Sequence, residues 1–166
     1  FTIRQAQQSD AVELKELFQN TVLVINRRDY SQAEVEDWAS CGNNLSNIKE
    51  RIETHCFVVA VNQQSQIVGF SSITSQGYLH SMFVHKDFQG EGIATMLLEE
   101  IERYAITAGI TRITSEVSLT ARPFFEKKGY VVEKEQKRKA NQLSLTNFLM
   151  AKEVAFLEYY NKRVTD

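Results

Sequence analysis

Proline is almost absent from this chain, Pro123 being its one example, and glycine is scarce at seven residues, so no Pro/Gly-rich linker divides it. Two cysteines, Cys41 and Cys56, are too few for a disulfide framework or a cysteine-rich zinc site, and read as reduced, inert thiols. Three scattered histidines without a His-x-x-x-His pair predict no metal. No apolar run approaches the roughly 18 residues of a spanning helix, since Thr21 to Ile25 is stopped by Asn26 and Arg27. There is no charge excess either. Nineteen Lys and Arg against 21 Asp and Glu give −2, which argues against nucleic-acid binding through an overall basic field, so an anionic ligand must be held locally. With no basic segment and apolar h-region at the start, these absences predict a soluble, cytoplasmic protein with neither membrane nor nucleic-acid partners. A length of 166 residues predicts one domain, 1–166, with a core from about 2 to 152 and a tail over 153–166.

What is present is periodic. Thr2 to Gln5 reads as a strand, and Ser9-Asp10 as the cap of a helix whose Ala11, Leu14, Leu17, Phe18, Val22 and Ile25 recur at helical spacing. Ser31 with Glu34 predicts a capping box for a short helix carrying Val35 and Trp38, and Leu45, Ile48 and Ile52 suggest another. Cys56 to Val61 and Ile67 to Ile73 form an antiparallel hairpin, followed by a strand over Tyr78 to Val84. A helix from about Ile93 to Ala108 then presents Ile93, Leu97, Ile101, Tyr104 and Ala108 as its apolar face and ends at Gly109. Arg112 to Val117 is a strand, Pro123 opens a helix that Gly129 closes, and Tyr130 to Glu135 pairs with Leu143 to Met150. Four cations between Lys134 and Lys139 read as a solvated hairpin tip.

The most informative segment is the strand Tyr78 to Val84 feeding Gln89-Gly90-Glu91-Gly92-Ile93-Ala94 at a helix start. Glycines allow positive φ and close approach of a ligand, and the unbonded N–H groups of a first helical turn attract anions. A dinucleotide fingerprint requires a third small residue where Thr95 stands, and a P-loop requires a lysine after Gly92, so both weaken.

Val84 to Ala94, together with Ala121-Arg122-Pro123-Phe124-Phe125-Glu126-Lys127-Lys128-Gly129-Tyr130, resembles the acetyl-CoA loop and the later strand-helix motif of the GCN5-related N-acetyltransferases. Gln89-x-x-Gly92-x-Ala94 matches that family's Arg/Gln-x-x-Gly-x-Gly/Ala signature, and Asp29 to Trp38 is similar to a bacterial subgroup of small acetyltransferases. The resemblance implies an α+β, three-layer fold: a mixed, mostly antiparallel sheet of about seven strands, flanked by helices and splayed between the fourth and fifth strands. It implies transfer of acetyl from acetyl-CoA, as cosubstrate, directly to a primary amine of a small molecule. A protein or peptide acceptor, or a non-catalytic CoA-binding sensor, are the alternatives.

By the same resemblance, backbone groups of Met82, Phe83 and Val84 pair with the pantetheine arm, and those of Gln89, Gly90, Glu91, Gly92, Ile93, Ala94 and Thr95 hold the pyrophosphate. Lys86, Arg122, Lys127 and Lys128 offset the remaining charge. Glu116 is the first candidate for the base that neutralises the amine, and His80 the second. Phe125 stands where many relatives place a tyrosine that protonates the leaving thiolate, and Ser118 where many place a cofactor-binding asparagine. Phe125 has no proton to give, so the acid stays open: water or the departing ammonium proton suffices for a thiolate leaving group, with Tyr78 or Tyr130 as bare alternatives. Tyr30, Trp38 and Tyr78 are candidate acceptor contacts, and the tail apolar residues Phe156, Leu157, Tyr159 and Tyr160 leave room for a homodimer.

Overall fold

A computed structural model describes residues 1–154. The tail residues named above as a packing or dimer surface lie outside it.

Seven strands form one sheet in the order β1-β2-β3-β4-β5-β7-β6. They are β1 (Thr2–Gln5), β2 (Cys56–Val61), β3 (Ile67–Ile73), β4 (Tyr78–Val84), β5 (Arg112–Ser118), β6 (Val131–Lys139) and β7 (Ser144–Glu153). Helices α1 (Ala11–Val24), α2 (Gln32–Ser40) and α3 (Leu45–Thr54) separate β1 from β2, α4 (Ile93–Thr107) joins β4 to β5, and α5 (Arg122–Lys127) follows β5. The centre of the sheet, β2 and β3, is buried on both faces, which is why β2 reads as an unbroken apolar run. Phe57 and Val59 meet Leu14, Leu17 and Ile48 on the α1–α3 side, while Val58 and Ala60 meet Leu97, Ile101 and Ala105 of α4. Among the described residues no helix is long and apolar enough to cross a membrane.

The fold class expected from the sequence is observed, and several details differ. Ser31 and Glu34 do form a capping box, but Asp10 does not cap α1. Its carboxylate instead takes the Gln7 N–H at 2.7 Å and a two-pronged contact from Arg4, which hold it below the usual carboxylate range. On α4 the buried positions are Ile93, Leu97, Leu98, Ile101 and Ala105; Ala108 is exposed because the helix has already tightened into its C-terminal turn there. Gly69 lets α4 lie close on β3, since a Cβ there would stand 2.8 Å from Ile93 Cγ2.

The last hairpin is longer than its sequence suggested. Lys134 to Lys139 are strand residues, and the turn beyond them, 140–143, is fastened to α2 rather than solvated alone. The Asp37 carboxylate accepts the N–H groups of Asn141, Gln142 and Leu143 at 2.9 to 3.1 Å. Tyr30, 5% exposed, adds a second tie: its hydroxyl donates to the Thr146 carbonyl at 2.6 Å and accepts the Leu119 N–H at 2.9 Å. Replacing Tyr30 by Phe strands two backbone groups in the interior, a cost of about 1–3 kcal/mol. At roughly 2–4 °C per kcal/mol for a chain of this size, the melting temperature should fall measurably in a calorimetric scan; an unchanged value would show that water replaces the hydroxyl.

Candidate active site

Parallel pairing of β4 with β5 is short. Tyr78 faces Thr114 and Leu79 faces Ser115, and there the ladder stops. The Ser115 hydroxyl closes it by donating to the Leu79 carbonyl at 2.8 Å. Beyond this point the strands diverge, and β4 is left without a strand on its β5 side. Between them opens a cleft of about 790 Å³, a size suited to one ligand of cofactor dimensions with its partner substrate.

At the open end of β4 stands the glycine turn. Gly90 and Gly92 have φ of 76° and 82°, and a Cβ at either would meet nothing within 4 Å. The glycines therefore serve a tight turn and an open space rather than packing inside the protein. No side chain caps α4. The first helical N–H to be taken is that of Met96, which donates to the Gly92 carbonyl at 3.1 Å, so the N–H groups of the preceding turn are left for a ligand. Gln89 braces the turn, its amide donating to the Val84 carbonyl at 2.8 Å. Gln89, Gly90, Gly92, Ile93, Ala94 and Thr95 line the cleft, whereas exposed Glu91 does not. These residues fit a pyrophosphate bound through backbone. The cations expected to assist are partly spent: Lys86 bonds Asp87, and Arg122 pairs with Glu126 and lies over Phe148.

His80 and Glu116 are the first residues beyond the last paired rung, one on each diverging strand. His80 owes its placement to a β-bulge, because the register runs from Ser72 opposite Ser81 to Ile73 opposite Leu79. Met82 and Val84 pack toward α4, and the bulge restores Leu79 to that same side, re-aiming His80. The His80 ring meets Tyr78 and His55 edge-on, at 6.0 and 5.6 Å between centroids. Its side chain is exposed to water through the cleft it lines, although protein atoms crowd it on the sheet. Burial, then the Arg51 guanidinium and the His55 ring, push its imidazole down to about 4, so it is neutral at neutral pH. Glu116 is ion-paired at 3.3 Å to Arg138, which reaches across from β6. Tyr78 is pushed up to about 12 by burial and then by Glu116.

Not every predicted residue borders the cleft. Met82, Phe83, Ser118, Phe125, Tyr30 and Trp38 do; Tyr78 does not. The Ser118 hydroxyl is occupied in accepting the Ala121 N–H at 3.0 Å. Phe125 is 2% exposed, edge-on to Phe124 and Tyr130. Trp38 joins Phe18, Tyr30 and Phe83 in an edge-on aromatic wall. Tyr130 donates to Glu102 at 2.8 Å, away from the cleft, so neither suggested phenol replaces the missing tyrosine. Sequence reading passed over Arg51 and Arg138. Arg138 lay within the flagged cationic run, but only the β6–β7 register turns it toward Glu116.

Depressed histidines have a consequence for stability. Below about 6.5 the unfolded chain binds protons that folded His80 refuses until about pH 4, and His55, also lowered by burial, acts in the same direction. Stability should therefore fall as pH drops from 6.5 toward 4, and His80→Gln should flatten that slope in denaturant titrations. An identical slope in the variant would contradict the assignment.

The acetyltransferase (GNAT) domain family model matches residues 26–153. The uncharacterized N-acetyltransferase YafP of Escherichia coli K12 is 29% identical over 149 residues, covering 89% of this chain and 93% of that protein. A GCN5-related N-acetyltransferase from Rhodopseudomonas palustris superposes with a TM-score of 0.89 at 27% identity, over 92% of this chain and 95% of its own. The PaiA N-acetyltransferase of Thermoplasma acidophilum, solved with coenzyme A, shares the fold at a TM-score of 0.75 and 19% identity, over 92% and 98%. Splayed strands, a glycine turn and these matches lead to one conclusion: the chain belongs to the GNAT family and is an N-acetyltransferase.

Proposed function

We propose that the protein transfers acetyl from acetyl-CoA to a primary amine of a small molecule. The observation that carries this reading is the single cleft that runs from the free N–H groups of the glycine turn to the paired candidates His80 and Glu116. Acetyl-CoA supplies the acetyl group as a thioester, and its transfer to nitrogen releases the thiol. Backbone groups of Gln89 to Thr95 hold the pyrophosphate, and the unpaired edge of β4 at Met82 to Val84 receives the amide-bearing arm as an added strand would. Coenzyme A bound by the same fold in the Thermoplasma protein supports coenzyme A as the ligand of this cleft.

Glu116, an anion at the cleft's narrow end, attracts the acceptor's ammonium and takes its proton, directly or through water. Neutral His80 offers the resulting amine a lone pair without repelling the cation that arrives. Tyr30 is the one tyrosine among the described cleft-lining residues, and its proton is already donated to Thr146. The departing thiolate is thus left to water or the shed ammonium proton, which a free thiol pKa near ~8.5 makes tolerable. The hairpin tied to α2 by Asp37 walls the acceptor end, which supports a small acceptor over a peptide laid in an open groove. Incubation with acetyl-labelled acetyl-CoA and an amine panel tests the chemistry: label should reach the amine and never the protein. A labelled protein intermediate would overturn direct transfer.

A further inference from the structure

We propose that the acceptor amine also carries an oxyanion, a carboxylate or a phosphate, and that Arg51 of α3 holds it. This deepens the proposed function and rests on its small-molecule amine. Arg51 lines the cleft and is half-buried. Among the described residues its guanidinium makes no ion pair and no side-chain hydrogen bond. Glu50, the preceding residue on α3, acts on it only as a neighbouring charge. A guanidinium carries five donors in a fixed fork, and leaving them without acceptors while partly out of water is costly unless a ligand supplies the oxygens. The other cations at this end are already near a carboxylate: Arg138 is ion-paired to Glu116, and Lys139 lies in the field of Asp37, which leaves Arg51 as the cleft-lining cation with no carboxylate partner among the described residues.

Arg51 sits at the wrong end of the cleft to serve the coenzyme's phosphates. It is close enough to His80 and Tyr78 to act on both electrostatically. The glycine turn begins beyond Val84, and four residues of strand from His80 to Val84 already span roughly 13 Å. One turn on from Arg51, the buried Nδ1 of His55 has no hydrogen-bond partner, although His55 itself does not line the cleft. Glu116 across the cleft provides the anion for the ammonium, and Arg51 the cation for the oxyanion. One small molecule with both charges, such as an amino acid or an amine phosphate, spans the pair.

Transfer rates would be compared for the common amino acids against their carboxamides, and for phosphoethanolamine against ethanolamine, with wild type, Arg51→Gln and Arg51→Lys. The better twin pair names carboxylate or phosphate. The expected result is a kcat/KM about 10- to 100-fold higher for the anionic twin. That ratio should collapse toward one in Arg51→Gln, chiefly through KM, and be partly restored in Arg51→Lys. Equal rates for twins, or a ratio that survives Arg51→Gln, would overturn the proposal. Calorimetric binding of N-acetyl amino acids and phosphoethanolamine to the CoA-saturated protein reads the anion site without turnover. Binding lost in Arg51→Gln supports the site even if no amine is acetylated, in which case the acetyl-transfer reading fails alone; no anion binding to the wild type overturns it.

Discussion

Gly92→Asp should cost at least about 100-fold in CoA affinity, roughly 2.7 kcal/mol, while leaving the fold within about 1 kcal/mol of wild type. The two effects separate because a Cβ at this position meets nothing in the protein within 4 Å. At φ 82° aspartate is among the residues that tolerate the left-handed region, and at an uncapped helix N-terminus its carboxylate finds the free N–H groups and the favourable end of the dipole. It takes the place a pyrophosphate needs and adds a negative charge there. Gly109→Asp is the matched control. Its φ is 80°, its Cβ also points into open space, and it lies outside the cleft beyond the other end of α4. Calorimetric titration with CoA should find the control unchanged; wild-type affinity in Gly92→Asp would remove the glycine turn from the binding site.

Glu116→Gln should lower kcat by about 10²- to 10⁴-fold, the range of a lost general base, with CoA affinity retained. The substitution keeps the side chain's shape and removes one partner of a partly exposed pair with Arg138. Such a pair contributes at most about 1 kcal/mol, so a stability loss will not account for the fall in rate. His80→Gln should reduce kcat by a smaller factor, because a neutral imidazole orients the amine without removing a charge. If both groups act on the same proton, the double variant will be little worse than Glu116→Gln alone. A Glu116→Gln enzyme that keeps wild-type kcat would exclude the carboxylate as base.

Much of this was legible beforehand because it is written in local patterns. Gly90 and Gly92 between a strand and a helix start, followed by Ala94, suggest a backbone anion turn, and the apolar runs of β2 and β3 define strands buried on both faces. What stayed hidden depends on register and on distant packing. Nothing in Tyr78 to Val84 announces that a bulge falls at His80. The histidine was named from its place on the strand and an ordinary imidazole basicity, yet its direction comes from the bulge and its low basicity from burial, Arg51 and His55. Ala105, rather than Ala108, completes the buried face of α4, since the helix ends a residue earlier than its hydrophobic period suggests. Arg138 looked like one cation among four at a wet tip; Asp37 and Tyr30 fold that hairpin onto the helical layer and bring the arginine to Glu116. Arg51 carries no motif at all, and only the cleft reveals it as a charge without a partner among the described residues.

The most direct test of the account is thiol release from acetyl-CoA, followed with and without amines in wild type and in Glu116→Gln. The predicted result is release that requires an amine, that is strongest with acceptors bearing an oxyanion, and that collapses in Glu116→Gln while CoA still binds. Release at the same rate without any amine, or a wild-type protein that binds no CoA, would contradict it.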